Sequence, residues 1–186
     1  PYIVLAHNHH GDGLTTLIRR DASAVTAQFH KSIPAHTGLH KYDTSALASA
    51  LETYYQGLPA ETQGKIQQVS IPVRRYSAGS FVAIEMAVYM FALSQMEYTG
   101  DGDAEGSHIL YFDSDSKRIA YGADGTTPQT IWTRSVSGGM ADYSRAVYTD
   151  GTIRSMGVKS DYPLRPACCV KSDIMLTTDD QGRYIL

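Results

Sequence analysis

The sequence predicts one α+β domain over residues 1–186, in which two early helices precede short antiparallel strands and long loops. Three observations carry this expectation. Leu47, Ala50, Leu51, Tyr54 and Leu58 follow an i, i+3, i+4, i+7, i+11 stripe, the period of an amphipathic helix. From Gly100 onward the apolar residues come in short runs broken by Gly, Asp and Ser, the pattern of strands and turns. Asp150-Gly151 lies between two such runs, residues 145–149 and 152–156, and predicts a hairpin with a type I′ turn.

Taken in order, Tyr2-Ile3-Val4-Leu5 and residues 14–18 read as hairpin arms around the turn-rich His7-Asn8-His9-His10-Gly11-Asp12-Gly13. Residues 29–43 show no period and contain Pro34, Gly38, His30, His36 and His40, so a loop is expected. The first helix is expected over residues 44–56, capped by Asp43 or Thr44 and stopped by Gly57-Leu58-Pro59. Residues 60–68 read as a second, shorter helix with Pro59 near its start. Residues 71–76 are expected to be extended. The apolar run 81–93 fits a buried helix or a buried strand, and periodicity does not choose between them. Further strands are expected at residues 108–112 and 118–121, flanking a polar turn at 113–117, and at 131–135 and 165–170. No internal repeat or linker divides the chain.

Composition narrows the functional classes. Hydrophobic residues make up 42% and charged residues 19%, which places the chain among folded proteins. The net charge is −3 and no basic run occurs, so no nucleic-acid partner is expected. The longest apolar run is too short to span a bilayer and contains Glu85, so no membrane insertion is expected. The chain opens at Pro1 on strand-like residues without a basic region, so no signal peptide is read; a start without Met fits processing or excision from a longer chain. Cys168 and Cys169 are adjacent, and strand neighbours point to opposite faces, so they form no ordinary staple. There are 13 Tyr against 4 Phe, with 16 Gly, a mixture that binding loops favour and that β-rich proteins also show.

The most specific residues are Trp132-Thr133-Arg134-Ser135, then Ser144-Arg145-Ala146-Val147-Tyr148, Asp150-Gly151 and Leu164-Arg165-Pro166-Ala167. Their order resembles a W-x-R-S…G…R-P-A domain of unknown function common in Gram-positive bacteria and their phages. The opening Tyr2-Ile3-Val4-Leu5, a serine-led helix from Ser45 to Tyr55, Ser94-Gln95-Met96-Glu97 and the tail from Lys171 through Gly182 resemble the same family. The resemblance implies a C-type-lectin-like fold, shared with formylglycine-generating enzymes and with variable receptor-binding proteins of phages. In those folds late loops form an exposed face on a rigid scaffold. Trp132, Arg134, Arg165 and Pro166 read as scaffold, because guanidinium groups suit carboxylates and the carbonyls of long loops.

Several constellations could carry chemistry. Asp101, Asp103 and Glu105, with Gly106, match the first half of a calcium loop, but Phe112 stands where a bidentate carboxylate is required, and a solvated acidic turn is the favoured reading. His7, His9 and His10 near Asp12, and His36 with His40, could ligate a transition metal; their spacing matches no closed site, so polar loop histidines are expected, with no metal and no cofactor. Formylglycine-generating enzymes use two cysteines several residues apart, whereas Cys168 and Cys169 are neighbours. No nucleophile–base set can be named, so no enzymatic activity is expected. Ligand binding is expected from Asp142, Tyr143, Tyr148, Arg154, Met156 and Tyr162, between and beside the framework motifs. The resemblance implies a phage virion or tail-associated adhesion module that binds a bacterial surface glycan or protein. The alternatives are a structural virion protein (capsid decoration or baseplate component) that contacts other subunits, and a formylglycine-generating-type oxidase. The expected location is the virion, otherwise the bacterial cell surface, with a homotrimer suggested by analogy to tail appendages.

Overall fold

The computed structural model describes residues 1–34, 40–77, 80–102, 105–138, 140–180 and 183–186. His36, Asp103 and Gly139, each part of a sequence-level expectation, lie outside the described residues, as do Gln181 and Gly182 of the tail.

The two expected hairpin arms form and start the main sheet. Tyr2–His7 pairs antiparallel with Leu14–Arg19, which pairs in turn with Ala167–Lys171. The short strands Ile66–Gln67 and Met90–Phe91 both pair with the far edge of Ala167–Lys171, while Tyr184–Ile185 and Thr177–Thr178 extend the sheet beyond Tyr2–His7. This curled antiparallel half-barrel is apolar on both faces. Leu17 and Cys168 are register partners and pack with Ile66, Met90 and Val170 on one face. Ile18 and Ala167 are partners on the other, against the larger core of Phe29, Phe91, Trp132 and their neighbours.

A second sheet, Ile131–Val136, Tyr143–Val147 and Ile153–Gly157, covers that core. A ribbon of Val69–Ser77 and Ser80–Val88 flanks it. The apolar run left open by sequence is thus a strand. The pairs Val69–Val88, Ile71–Met86 and Val73–Ile84 bring apolar side chains together on one face, and Ser70 donates to Glu85 at 2.7 Å on the other. Two residues per repeat separate these apolar positions, which is strand period.

The expected α+β, C-type-lectin-like class is corrected by this architecture. Among the described residues 39% are strand and 15% helix. Only Ala46–Gln56 exceeds two turns; Ala60–Lys65, Gln95–Thr99 and Asp115–Arg118 are single turns or little more. The chain is mostly β because the apolar run 81–93 pairs as strand and the second helix stops at Lys65, where Ile66 turns into the main sheet.

Smaller corrections have local causes. The first helix is capped by Ser45, whose Oγ accepts from the Ala48 N–H at 3.0 Å, because the Asp43 carboxylate is drawn to Arg75. Residues 108–112 are a turn and not a strand: Ile109 and Phe112 are buried three apart while Leu110 is 82% exposed. The Ala120–Tyr121 strand pairs instead with Pro128–Gln129. The hairpin at Asp150-Gly151 forms, but Gly151 alone of the two has positive φ, at 84°. Its N–H donates to Tyr148 O at 2.9 Å, and Tyr148 N–H donates to Thr152 O at 2.8 Å. This is a turn completed by one left-handed glycine, not a type I′ turn.

Gly151 has a second constraint. A Cβ there would lie 1.9 Å from the Asp115 carbonyl oxygen of the Asp115–Arg118 turn. Gly151→Ala is expected to cost about 3 kcal/mol and to lower Tm by about 6–12 °C. Gly125→Ala, at φ 68° with nothing within 4 Å, is expected to cost only about 1 kcal/mol. Thermal unfolding of the two variants beside the wild type checks the difference.

Candidate functional site

The deepest polar feature is built around Arg134, which is fully buried. The strand Ile131–Val136 aims its guanidinium across the core, where every N–H finds an acceptor. Nε donates to Pro72 O at 3.1 Å. Nη1 donates to Ala92 O at 3.2 Å and Glu97 Oε2 at 2.6 Å. Nη2 donates to Glu97 Oε1 at 2.9 Å and Glu105 O at 2.6 Å. The fork geometry of guanidinium makes the bidentate contact. Glu97 is available because it occupies the third position of Gln95–Thr99, where it closes a capping box with Ser94.

The second carboxylate, Glu105, turns inward as well. It accepts from the Arg74 N–H at 3.2 Å and from the Ser135 hydroxyl. Burial alone would raise the Glu97 carboxyl, but Arg134 and the His10 contact hold it well below the usual carboxylate range. Burial pushes Glu105 up, against the pull of Arg134. Glu105 is therefore engaged inside the protein and does not face the turn at Asp101, which is exposed; the calcium candidates do not converge among the described residues.

Two loop histidines reach the same cluster. His10 Nε2 lies 2.9 Å from Glu97 Oε1, and His10 Nδ1 lies 2.9 Å from Thr16 Oγ1. Thr16 Oγ1 is 3.6 Å from Cys169 Sγ. His9 Nε2 lies 3.9 Å from Glu97 Oε1. The donor atoms of His9, His10 and Glu97 all fall within 4.8 Å of one another. Burial lowers the His10 imidazole, opposed by the Glu97 contact, so His10 is a neutral donor to the carboxylate. His7 instead bonds Thr15, at 2.8 Å.

On the outside, a groove of about 1390 Å³ runs between the helix Ala46–Gln56 and the segment that carries Thr26, Gln28 and His30. Hydroxyl, amide and charged groups line it, among them Ser49, Thr53 and Asp161, over apolar Val25 and Leu58. A second cleft of about 350 Å³ is lined by Ile33, Asp142, Tyr143 and residues 157–160. The two recesses share a wall, since Lys31, Ser32, Pro34 and Asp161 border the first while Ile33 and Ser160 border the second. Beneath that wall the His30 and His40 rings meet at 5.2 Å. His40 Nε2 donates to Tyr143 O at 2.7 Å, whereas His30 Nε2 and His40 Nδ1 have no partner among the described residues. Burial and the neighbouring His40 push His30 down to about 4.

The ligand-binding residues expected from sequence do not converge. Asp142 and Tyr143 lie together at the second cleft. Tyr148 and Arg154 stack on each other at 4.0 Å at the opposite end of the hairpin, where Arg154 also pairs with Asp150. Met156 is half-buried against the core, and Tyr162 packs on Trp132 with ring centroids 4.9 Å apart. The framework residues hold loops as expected: Trp132 Nε1 donates to Ala27 O at 3.0 Å, and Arg165 donates to the carbonyls of Arg19, Arg20 and Arg118. Cys168 and Cys169 point to opposite faces of the main sheet, and burial raises both thiols. Sequence reasoning missed the convergence of Glu97, Glu105 and His10 on Arg134. The available signal was the Ser94…Glu97 capping box beside a buried-type W-T-R-S strand.

Arg134→Lys cannot satisfy five acceptors from one plane, and is expected to cost about 3–5 kcal/mol in urea unfolding. The histidine pair predicts a pH dependence. Below about pH 6.5 the unfolded chain takes up a proton at His30 that the folded chain refuses until about pH 4. Stability should therefore fall as pH drops through that window, by about 3 kcal/mol, and His30→Phe should flatten the slope of unfolding free energy against pH.

A family model described as a domain of unknown function, DUF6273, matches residues 13–172, a span that holds the second sheet, the ribbon, Arg134 with its two carboxylates and, of the main sheet, Leu14–Arg19, Ile66–Gln67, Met90–Phe91 and Ala167–Lys171. No curated protein and no solved structure matches the chain. With most of its length inside that match, the chain belongs to the DUF6273 family.

Proposed function

We propose that this chain is a phage virion or tail-associated adhesion module, and that its ligand is a bacterial surface glycan seated in the groove beside the helix Ala46–Gln56. The carrying observation is the chemistry of that groove. Thr26, Ser32, Ser49 and Thr53 offer hydroxyls, Gln28 an amide and Asp161 a carboxylate, above apolar Val25, Ala50 and Leu58. Sugars present hydroxyls at their edges and C–H groups on their faces, so a recess of this composition pairs with both. The virion setting rests on the resemblance of the framework motifs. The buried charges support a scaffold role for the interior, because each is engaged by neighbouring segments.

A structural role, contacting other virion subunits, is favoured by one feature. Among the described pairings, Ser80–Val88 is bonded only to Val69–Ser77, so it presents an outer strand edge with Val82 47% exposed. Such an edge can accept another strand.

The test is binding of the purified chain to host cells and to isolated wall glycans. Ser49→Trp and Thr53→Trp fill the groove from exposed helix positions. Each is expected to weaken binding at least about tenfold with Tm nearly unchanged, since neither touches the core. Tyr143→Ala is expected to weaken it less. A wild-type chain that binds no host surface, yet is located inside intact particles, would replace adhesion by the structural reading.

A further inference from the structure

We propose that His9, His10 and Glu97 form a binding site for a borderline transition-metal ion, with zinc as the ion their chemistry fits best. The proposal is independent of the adhesion reading and rests on the placement of two adjacent imidazoles. Neighbouring side chains ordinarily diverge. Here Asn8 adopts φ 58°, the only non-glycine among the described residues with positive φ. Its Oδ1 accepts from the Gly13 N–H at 2.7 Å, and its own N–H donates to Leu14 O at 2.7 Å. The bend turns both imidazoles inward, with the rings edge to face at 4.6 Å. Both Nε2 atoms approach one carboxylate oxygen, Glu97 Oε1, at 2.9 and 3.9 Å.

Two imidazoles and one carboxylate make a three-ligand zinc set that leaves a fourth position open. Calcium and magnesium prefer all-oxygen sets, so the histidines select against them. Ligand atoms around one tetrahedral zinc lie about 3.4 Å apart. The two separations from Glu97 straddle that value and all three ligand atoms lie within 4.8 Å of one another, so a movement of His9 by about 1.5 Å closes the set. His9 is free to do so: its side chain is 11% exposed, against 4% for His10, and it borders solvent.

The surroundings match what a bound cation requires. The metal takes the place of the proton on His10 Nε2. That proton passes to Nδ1, which then donates to Thr16 Oγ1, and the Thr16 hydroxyl turns toward Cys169 Sγ. No proton is gained or lost overall, and Thr16 becomes the outer partner that fixes the ligand ring. Glu97 keeps its bonds to Arg134 and Ser94, which orient the carboxylate. The buried cluster balances two carboxylates, Glu97 and Glu105, with two guanidinium groups, Arg134 and Arg74, so the negative charge that an added cation meets is that of its own ligand, the Glu97 carboxylate. His9 and His10 precede residue 13, so this site lies partly outside the segment shared with the family model.

The experiment uses the full chain, stripped of metal with a chelator and then titrated with zinc. Calorimetry should show one ion per chain, and a hundredfold excess over Kd should raise Tm by about 5–11 °C. His9→Ala removes a ligand whose contacts in the metal-free chain are the 3.9 Å approach to Glu97 and the ring contact with His10, so the metal-free variant should lose only a few degrees in Tm while its zinc affinity falls at least about tenfold. His7→Ala should leave affinity unchanged. Cobalt bound to the wild-type chain should give the visible absorption of a tetrahedral site, a readout that needs no variant. Absence of zinc binding, binding that survives His9→Ala, or equal losses in His7→Ala and His9→Ala would each overturn the assignment.

Discussion

The bidentate pair between Arg134 and Glu97 is the constraint on which the other elements depend. Both groups are fully buried, and neither is tolerable there alone, because an unpaired charge in a dry interior costs several kcal/mol. Pairing them is not enough; the remaining N–H groups of the guanidinium also need acceptors. They take backbone carbonyls from Pro72, Ala92 and Glu105. One side chain therefore ties the ribbon, the segment after Met90–Phe91, the helix Gln95–Thr99 and the loop at Glu105 to the second sheet. A buried ion pair of this kind contributes specificity of arrangement more than net stability, since each acceptor must be in place for the others to be satisfied.

That constraint separates the interior from the surface. The framework residues Trp132 and Arg165 work in the same way at other points, each bonding carbonyls of distant loops. With the long segments held by side chains, little regular pairing is needed across residues 94–130. The outer surface is then left to polar recesses on a rigid support, the arrangement in which loops carry recognition. The histidine pair His30 and His40 lies between these regimes. Both rings pack on Phe29, yet His30 also lines the groove. His30 Nε2 and His40 Nδ1, unpartnered among the described residues, make the wall sensitive to protonation, whereas Glu97 is held ionised by Arg134.

Much of the local structure was legible in the residues. The stripe from Leu47 to Leu58 forms its helix, Asp150-Gly151 turns its hairpin, and the opening two runs pair. Cys168 and Cys169 diverge as strand neighbours must. The failures share one cause, competition from partners distant in sequence. Asp43 lost the cap to Ser45 because Arg75, 32 residues away, takes its carboxylate. Residues 108–112 gave up strand pairing because Ile109 and Phe112 both reach the core. Glu105 read as part of a solvated acidic turn, with calcium as the weaker reading, and the structure buries it beside Ser135.

The sequence by itself determined which segments are apolar, where the chain turns and that a Trp-Thr-Arg-Ser strand would need partners, because these follow from period, turn chemistry and the donor count of arginine. Only the tertiary structure decided that the run 81–93 is a strand, that the domain is mostly β, and that Glu97, Glu105, His9 and His10 meet at Arg134. Those outcomes depend on which segments lie side by side. Short-range pattern carries no information about that, and the energy of a buried charge does not exist until its partner arrives.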